Sequence, residues 1–281
     1  MLGIVQGATE FVPVSSSAHL VLVPWAFGWP NLGLAFDTVL HVGTLLAVVA
    51  VFWRDLLAMA SAWLASLPGV FALVRSLLDR SDGLDAKTPS ALTPMARLAW
   101  CILLATIPAG LMGLLWEDQF EALFSSPLWV AVFLLVTGVW LFAVERQAHG
   151  AREAENLSLR QALLIGFAQG CSIAPGISRS GATIGAGSLL GLRRDAAARF
   201  SFLLSTPIIL AAGLLQARRL LEAGGLDAGF WTMLAGFLAA FVSGLLCIRW
   251  LLTLLRRHGL TAFAVYCWVV GLLSIALYAA R

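Results

Sequence analysis

The chain has 281 residues, 60% of them hydrophobic and only 12% charged, with a net charge of +3 and a mean hydropathy of +0.90. Composition this apolar excludes disorder, coiled coil and collagen, and it departs from soluble domains, where about 25% of residues are charged. The small, dispersed positive charge forms no basic patch for nucleic acid. A membrane helix needs ~20 mainly apolar residues, so the length suits six spans and their loops in a single membrane domain, residues 1–281. Cys101, Cys171, Cys247 and Cys267 lie in apolar runs without metal-ligand spacing and read as small buried hydrophobes.

In chain order, residues 2–30 come first, apolar but broken by Glu10-Phe-Val-Pro-Val-Ser-Ser-Ser17. No basic segment precedes them, and Glu10 and Pro13 interrupt the apolar run, so they do not read as a cleaved signal peptide. The stretch 35–53 predicts a span, and 56–74 fits either an interfacial helix or a half-span. Stretches 94–116 and 128–145 predict two further spans. Residues 161–192 are broken again, at Pro175-Gly-Ile-Ser-Arg-Ser-Gly181, and spans follow at 200–216, 229–248 and 260–280. Non-helical backbone at membrane depth survives only when buried in protein or lining a wet cavity. The two broken regions are therefore expected to be re-entrant helical hairpins. The fold class is an all-α polytopic membrane protein with six transmembrane helices, two re-entrant hairpins and an inverted-topology repeat.

The repeat rests on residue matches. At an offset of 163, Gly3 falls on Gly166, Gln6 on Gln169, Gly7 on Gly170, Ser15 on Ser178 and Ser17 on Ser180. Each half, about 1–145 and 161–281, then holds one hairpin and three spans. Three is odd, so the second copy inserts upside down, the plan of many transporters, whose sites lie where broken helices meet. Basic residues set the sides. Segments 54–97 (Arg54, Arg75, Arg80, Lys87, Arg97), 146–160, 193–199 and 249–259 carry most of them, whereas the opposite side keeps Arg218, Arg219 and Arg281. The loop after the second span has Glu117, Asp118 and Glu121 and no basic residue. The positive-inside rule makes the first group cytoplasmic and places both termini outside.

Charge inside a membrane segment costs ~2.5–3.5 kcal/mol at a helix centre on insertion scales, so it marks a functional site by default. Here it gathers in the hairpins. Gln6 and Glu10 are four apart and share a helix face, and a carboxylate beside an amide oxygen suits Mg²⁺ or Ca²⁺. Ser15, Ser16 and Ser17 stand where a new helix starts, with free N–H groups that attract an anion. His19 follows Ser16 by three, the spacing of a nucleophile and an acid or base. Ser178, Arg179, Ser180 and Thr183 open a second such helix, and Arg179 offers a planar fork for phosphate oxygens. Together these describe phosphoryl transfer, and no P-loop or Rossmann glycine pattern occurs. Asp37 and His41, at i and i+4, read as a structural pair. Ser17 and Thr183 taken alone read as helix-packing hydroxyls.

Gly3-Ile-Val-Gln-Gly-Ala-Thr-Glu-Phe-Val-Pro-Val-Ser-Ser-Ser-Ala-His19 resembles the first signature of the undecaprenyl-diphosphatase, or bacitracin-resistance, family, and Pro175-Gly-Ile-Ser-Arg-Ser-Gly-Ala-Thr183 resembles its second. Arg199-Phe-Ser-Phe-Leu-Leu-Ser-Thr-Pro207 is similar to the family's following helix. Gln6 lies within the family pattern, and Ala18 stands where many members carry Gly. The resemblance covers nearly the whole chain. It implies hydrolysis of undecaprenyl diphosphate to undecaprenyl phosphate and inorganic phosphate, which recycles the lipid carrier of cell-wall synthesis. It also implies Mg²⁺ or Ca²⁺ helped by Glu10, Ser16 as nucleophile with His19 as acid or base, and Arg179 clamping the diphosphate with Ser178, Ser180 and Thr183. The implied location is the bacterial inner membrane, with the site facing the extracytoplasmic side. Polyprenyl diphosphate and membrane lipids are the expected partners, and a homodimer stays open. The alternative is a polyprenyl-phosphate transporter or flippase, which needs an anion clamp but no nucleophile. An acid-phosphatase-type lipid phosphatase is excluded, because no His follows Arg179 in its helix.

Overall fold

The computed structural model describes residues 1–30, 33–78, 92–222 and 229–281. They form the helices α1 (Leu2–Phe11), α2 (Ser16–Phe27), α3 (Gly33–Leu78), α4 (Pro94–Leu115), α5 (Glu117–Phe124), α6 (Pro127–Gln147), α7 (Leu159–Cys171), α8 (Arg179–Leu189), α9 (Arg194–Glu222), α10 (Phe230–Leu255) and α11 (Thr261–Ala279). The six predicted spans correspond, to within one residue at each overhanging end, to α3, α4, α6, α9, α10 and α11, each long and apolar enough to cross a membrane. The stretch 56–74 is a continuation of α3, which runs 46 residues with a bend at Phe52 (φ −108°, ψ 18°). Neither Gly nor Pro stands between Phe52 and Pro68, so nothing in the sequence ends the helix there. The side chains of Arg75, Arg80, Lys87, Glu117, Glu121 and Arg219, used in the charge assignment, lie outside the described residues.

Short helix pairs stand where hairpins were expected. Val12–Ser15 joins α1 to α2, and Ser172–Ser178 joins α7 to α8. Each pair packs mainly on the other half of the chain, α1 against α10 and α7 against α4. The matched glycines are the reason. A Cβ on Gly3 or Gly7 would strike the Gly236 carbonyl or Ser243 of α10, and one on Gly166 or Gly170 would strike the Ala105 backbone or Met112 of α4. Small residues let helix backbones approach where lipid offers no hydrophobic drive. The α6–α11 crossing is reciprocal too. Gly138 meets the Ala264 backbone while Gly271 meets the Ala131 backbone, each pair of equivalent residues being 133 positions apart.

Ion pairs gather in, or within one residue of, the segments assigned to the cytoplasmic side. Arg194 pairs with Glu145 at 2.6 Å, Arg199 with Asp55 at 3.1 Å and Glu155 at 2.6 Å, and Asp195 with Arg193 at 2.5 Å and Arg256 at 3.2 Å. The outer faces expose large apolar side chains such as Leu114, Leu214 and Trp231. A continuous apolar exterior of this kind is a surface for lipid.

Candidate active site

The first hairpin turns because Pro13 cannot continue α1 and holds Val12 extended (φ −64°, ψ 136°). Ser15 then adopts φ 68°, a left-handed conformation that costs a non-glycine residue about 1–3 kcal/mol and collects at functional sites. Its Oγ accepts the Ala18 N–H at 3.3 Å and caps α2. This turn brings Ser16, the first residue of α2, back over Glu10. Ser16 Oγ donates to Glu10 Oε2 at 2.5 Å, and Gln6 Nε2, one helical turn earlier, donates to the same oxygen at 2.8 Å.

The second hairpin repeats the device. Gly176 sits at φ +103°, and a Cβ there would also strike the Val130 carbonyl, so glycine is required. Thr137 of α6 pins the turn, its Oγ1 donating to the Gly176 carbonyl at 2.9 Å and accepting the Ser178 N–H at 3.1 Å. Ser178 caps α8 by accepting the Gly181 N–H at 3.0 Å. Arg179 is the first residue of α8, as Ser16 is of α2, and the two correspond at the repeat offset of 163. Its Nη2 donates to Glu10 Oε1 at 2.6 Å and its Nη1 to the Ser201 carbonyl at 3.3 Å. Ser180 Oγ donates to the Val12 carbonyl at 3.1 Å, a further bond between the hairpins.

These groups head a cavity of about 1050 Å³. Glu10, Ser15, Ser16, Ser17, Ser178 and Arg179 line its polar part, and residues such as Trp25, Phe120, Phe124, Ile177 and Ile209 give it apolar walls. Two helix N-termini and a guanidinium thus meet at the polar part, an arrangement that attracts an anion. Not every expected residue faces it. Thr183, fully buried, bonds the Arg179 carbonyl at 2.8 Å and Ser201 at 2.6 Å, so it holds Arg179 from behind. Gln6, expected beside Glu10 as an amide-oxygen ligand for the cation, instead turns its Nε2 to Glu10 and lies outside the cavity lining, so it supports the carboxylate from the far side. His19 is turned away from Ser16, its Nδ1 bonding the Ser15 carbonyl and its Nε2 the Tyr266 hydroxyl, both at 2.8 Å. The imidazole that does face Glu10 is His41 of α3, with Nε2 at 3.7 Å from Glu10 Oε2. Its Nδ1 donates to the Asp37 carbonyl at 2.7 Å, and both residues line the cavity. Sequence reasoning set this pair aside as structural, although ionisable residues deep in an apolar run were the signal.

Among the described residues no three His, Cys, Asp or Glu side chains gather to hold a metal. Glu10 and Asp37 both line the cavity and are the oxygen type of ligand a hard cation takes with substrate phosphate, while both Glu10 oxygens already accept from Arg179, Ser16 and Gln6. Mg²⁺ usually takes one or two protein carboxylates, phosphate oxygens and waters.

Six apolar spans and two broken helix pairs define a multi-pass membrane protein, and the broken pairs bring the Glu10 carboxylate and the Arg179 guanidinium together at 2.6 Å on the wall of its cavity. Comparison gives the family. The chain belongs to the bacitracin resistance protein BacA family, whose pattern matches residues 1–273. It is 46% identical over 281 residues to a protein named undecaprenyl-diphosphatase from Rubrobacter xylanophilus, covering 99% of this chain and 96% of that one. It is 42% identical over 278 residues to a protein of the same name from Methanosphaera stadtmanae, covering 99% of this chain and 96% of the relative.

Proposed function

We propose that this chain is an integral-membrane phosphatase that hydrolyses undecaprenyl diphosphate to undecaprenyl phosphate and inorganic phosphate, recycling the lipid carrier for cell-wall synthesis. The membrane is the bacterial cytoplasmic membrane, and the site opens to the extracytoplasmic side; the loop charges bear only on the first hairpin, whose ends they put on that side. The halves 1–145 and 161–281 act as inverted repeats, each supplying one hairpin. The observation that carries the reading is the chain of bonds Ser16 Oγ–Glu10–Arg179, at 2.5 and 2.6 Å. It has the form of a nucleophile held by a base that is itself oriented by a third group.

The diphosphate enters with its prenyl chain along the apolar walls and its terminal phosphate at the N-termini of α2 and α8. Ser16 Oγ attacks the terminal phosphorus and passes its proton to Glu10 Oε2. Arg179 stabilises charge on the transferred group. The bond to the bridging oxygen breaks, and undecaprenyl phosphate leaves. Water then attacks the phosphoserine, Glu10 returns the proton to Ser16, and inorganic phosphate departs. Ser15 and Ser178 hold the two helix starts in place, while Gln6, Ser180 and Thr183 hold Glu10, the hairpin contact and Arg179. His19 fixes α2 through Tyr266. A bound Mg²⁺ or Ca²⁺, held by Asp37 and assisted by Glu10 while that carboxylate is ionised, would neutralise phosphate charge.

A transporter of polyprenyl phosphate would use the same anion cavity but has no need of the Ser16–Glu10 bond. Phosphate release from undecaprenyl diphosphate by purified protein separates the two. Wild-type protein is expected to release phosphate and to fall silent in EDTA, and Ser16→Ala to lose at least about 1,000-fold in kcat, on the scale of losing a catalytic nucleophile. Ser16→Ala with wild-type release would refute the nucleophile, and an EDTA-insensitive rate would remove the cation.

A further inference from the structure

Gln169 has no role in the reading above, yet it is the site's least satisfied side chain. It lies on α7, is 2% exposed and lines the main cavity with Ser172, Ile173, Ser178 and Arg179. Neither its Oε1 nor its Nε2 has a hydrogen-bond partner among the described residues. An amide has two N–H donors and a carbonyl oxygen with two lone pairs, and leaving them all unmade in a buried site forfeits their full hydration.

The repeat shows what is missing. At the offset of 163, Gln169 corresponds to Gln6 and Ile173 to Glu10. In the first hairpin the Gln6 amide donates to the carboxylate one turn on, at 2.8 Å. In the second hairpin that position is isoleucine, so the amide has no anion from its own helix. Arg179, on the same hairpin, lines the same cavity and supplies positive charge there.

We infer that Gln169 is a substrate-binding residue whose Nε2 donates to a phosphate oxygen of the prenyl diphosphate, in the role that the Glu10 carboxylate plays for Gln6. The inference rests on the diphosphatase reading and adds a contact to it. Binding energy placed on the head group in this way acts before the chemical step and appears mainly in KM.

Purified wild-type, Gln169→Leu and Gln169→Glu proteins are compared for KM and kcat on undecaprenyl diphosphate and for inhibition by inorganic pyrophosphate. Leucine removes the donor, and glutamate keeps the shape while placing a negative charge against the phosphate. Gln169→Leu is expected to raise KM and the pyrophosphate inhibition constant about ten-fold, the scale of a hydrogen bond to a charged group, with kcat within about three-fold. Gln169→Glu is expected to raise both constants further. Where the leucine variant fails to fold, the near-isosteric glutamate variant gives the answer alone. Unchanged KM and inhibition constants, or a fall in kcat alone, would overturn the contact and leave Gln169 a packing residue. A wild-type protein that releases no phosphate would instead overturn the diphosphatase reading, and this contact with it.

Discussion

Glu10 gathers donors from three segments of the chain: Gln6 from its own helix, Ser16 from the start of α2 and Arg179 from the start of α8. Removing one partner of a buried ion pair costs about 3–5 kcal/mol, because the other charge is left unpaired, so substitutions that keep charge or shape are the informative ones. Arg179→Lys keeps the charge but cannot span Glu10 and the Ser201 carbonyl from one planar group. It is expected to lose at least about 100-fold in kcat/KM while the protein still purifies folded. His41 is expected to matter through its cavity-facing Nε2. His41→Leu should lower kcat/KM about ten-fold, and His41→Gln, which can place an N–H at similar reach, should restore most of it in the same phosphate-release assay. Glu10, Ser16 and Arg179 were legible in the sequence because charge and clustered hydroxyls stand out in apolar runs. The two histidines were not. His19 stands one turn from Ser16, but its ring is fixed by Tyr266, 247 residues away, and nothing local in the sequence reveals that partner. His41 and Asp37 formed a self-contained i, i+4 pair on paper, and only the packing of α3 beside α1 brings His41 to Glu10.

At the scale of the element, each hairpin is a helix stopped short, a tight turn and a serine-capped second helix. The caps at Ser15 and Ser178 put Ser16 and Arg179 at equivalent places, so one piece of helix-start chemistry is used twice. The hairpins hold position through glycine contacts rather than apolar bulk. Gly166→Val would drive a side chain into the Ala105 backbone and force α7 off α4. A loss of about 1–3 kcal/mol or more in stability is expected, read as a lower thermal midpoint in detergent. The glycine matches were visible in the sequence, and so were the breaks in both helices. The partners were not visible, since one glycine-bearing face fits many helices. That α1 lies on α10 and α7 on α4 is a result of tertiary packing alone. The continuation of α3 beyond Phe52 was ambiguous for a related reason. Apolar length in 56–74 says that a helix exists, and only the chain's path says that it joins its predecessor.

In the whole molecule, each half supplies a hairpin and clamps the other half's hairpin. Thr137 of α6 pins the second turn, and Tyr266 of α11 holds His19 of the first. The site therefore exists only when both halves are assembled. Six spans and two breaks could be counted from hydropathy, and membership of the family followed from two short signatures. The interlocking could not be counted, because it is a property of contacts 39 to 247 residues apart in the chain. The central claim is that Glu10 and Arg179, from opposite hairpins, work as one unit. A double-mutant cycle on kcat/KM for undecaprenyl diphosphate tests it, using Glu10→Gln, Arg179→Gln and the pair together. Each single variant is expected to lose about 1,000-fold and the double variant little more than either, as groups acting together do. Losses that multiply in the double variant would mean that the two residues act independently, and would contradict a single site built where the hairpins meet.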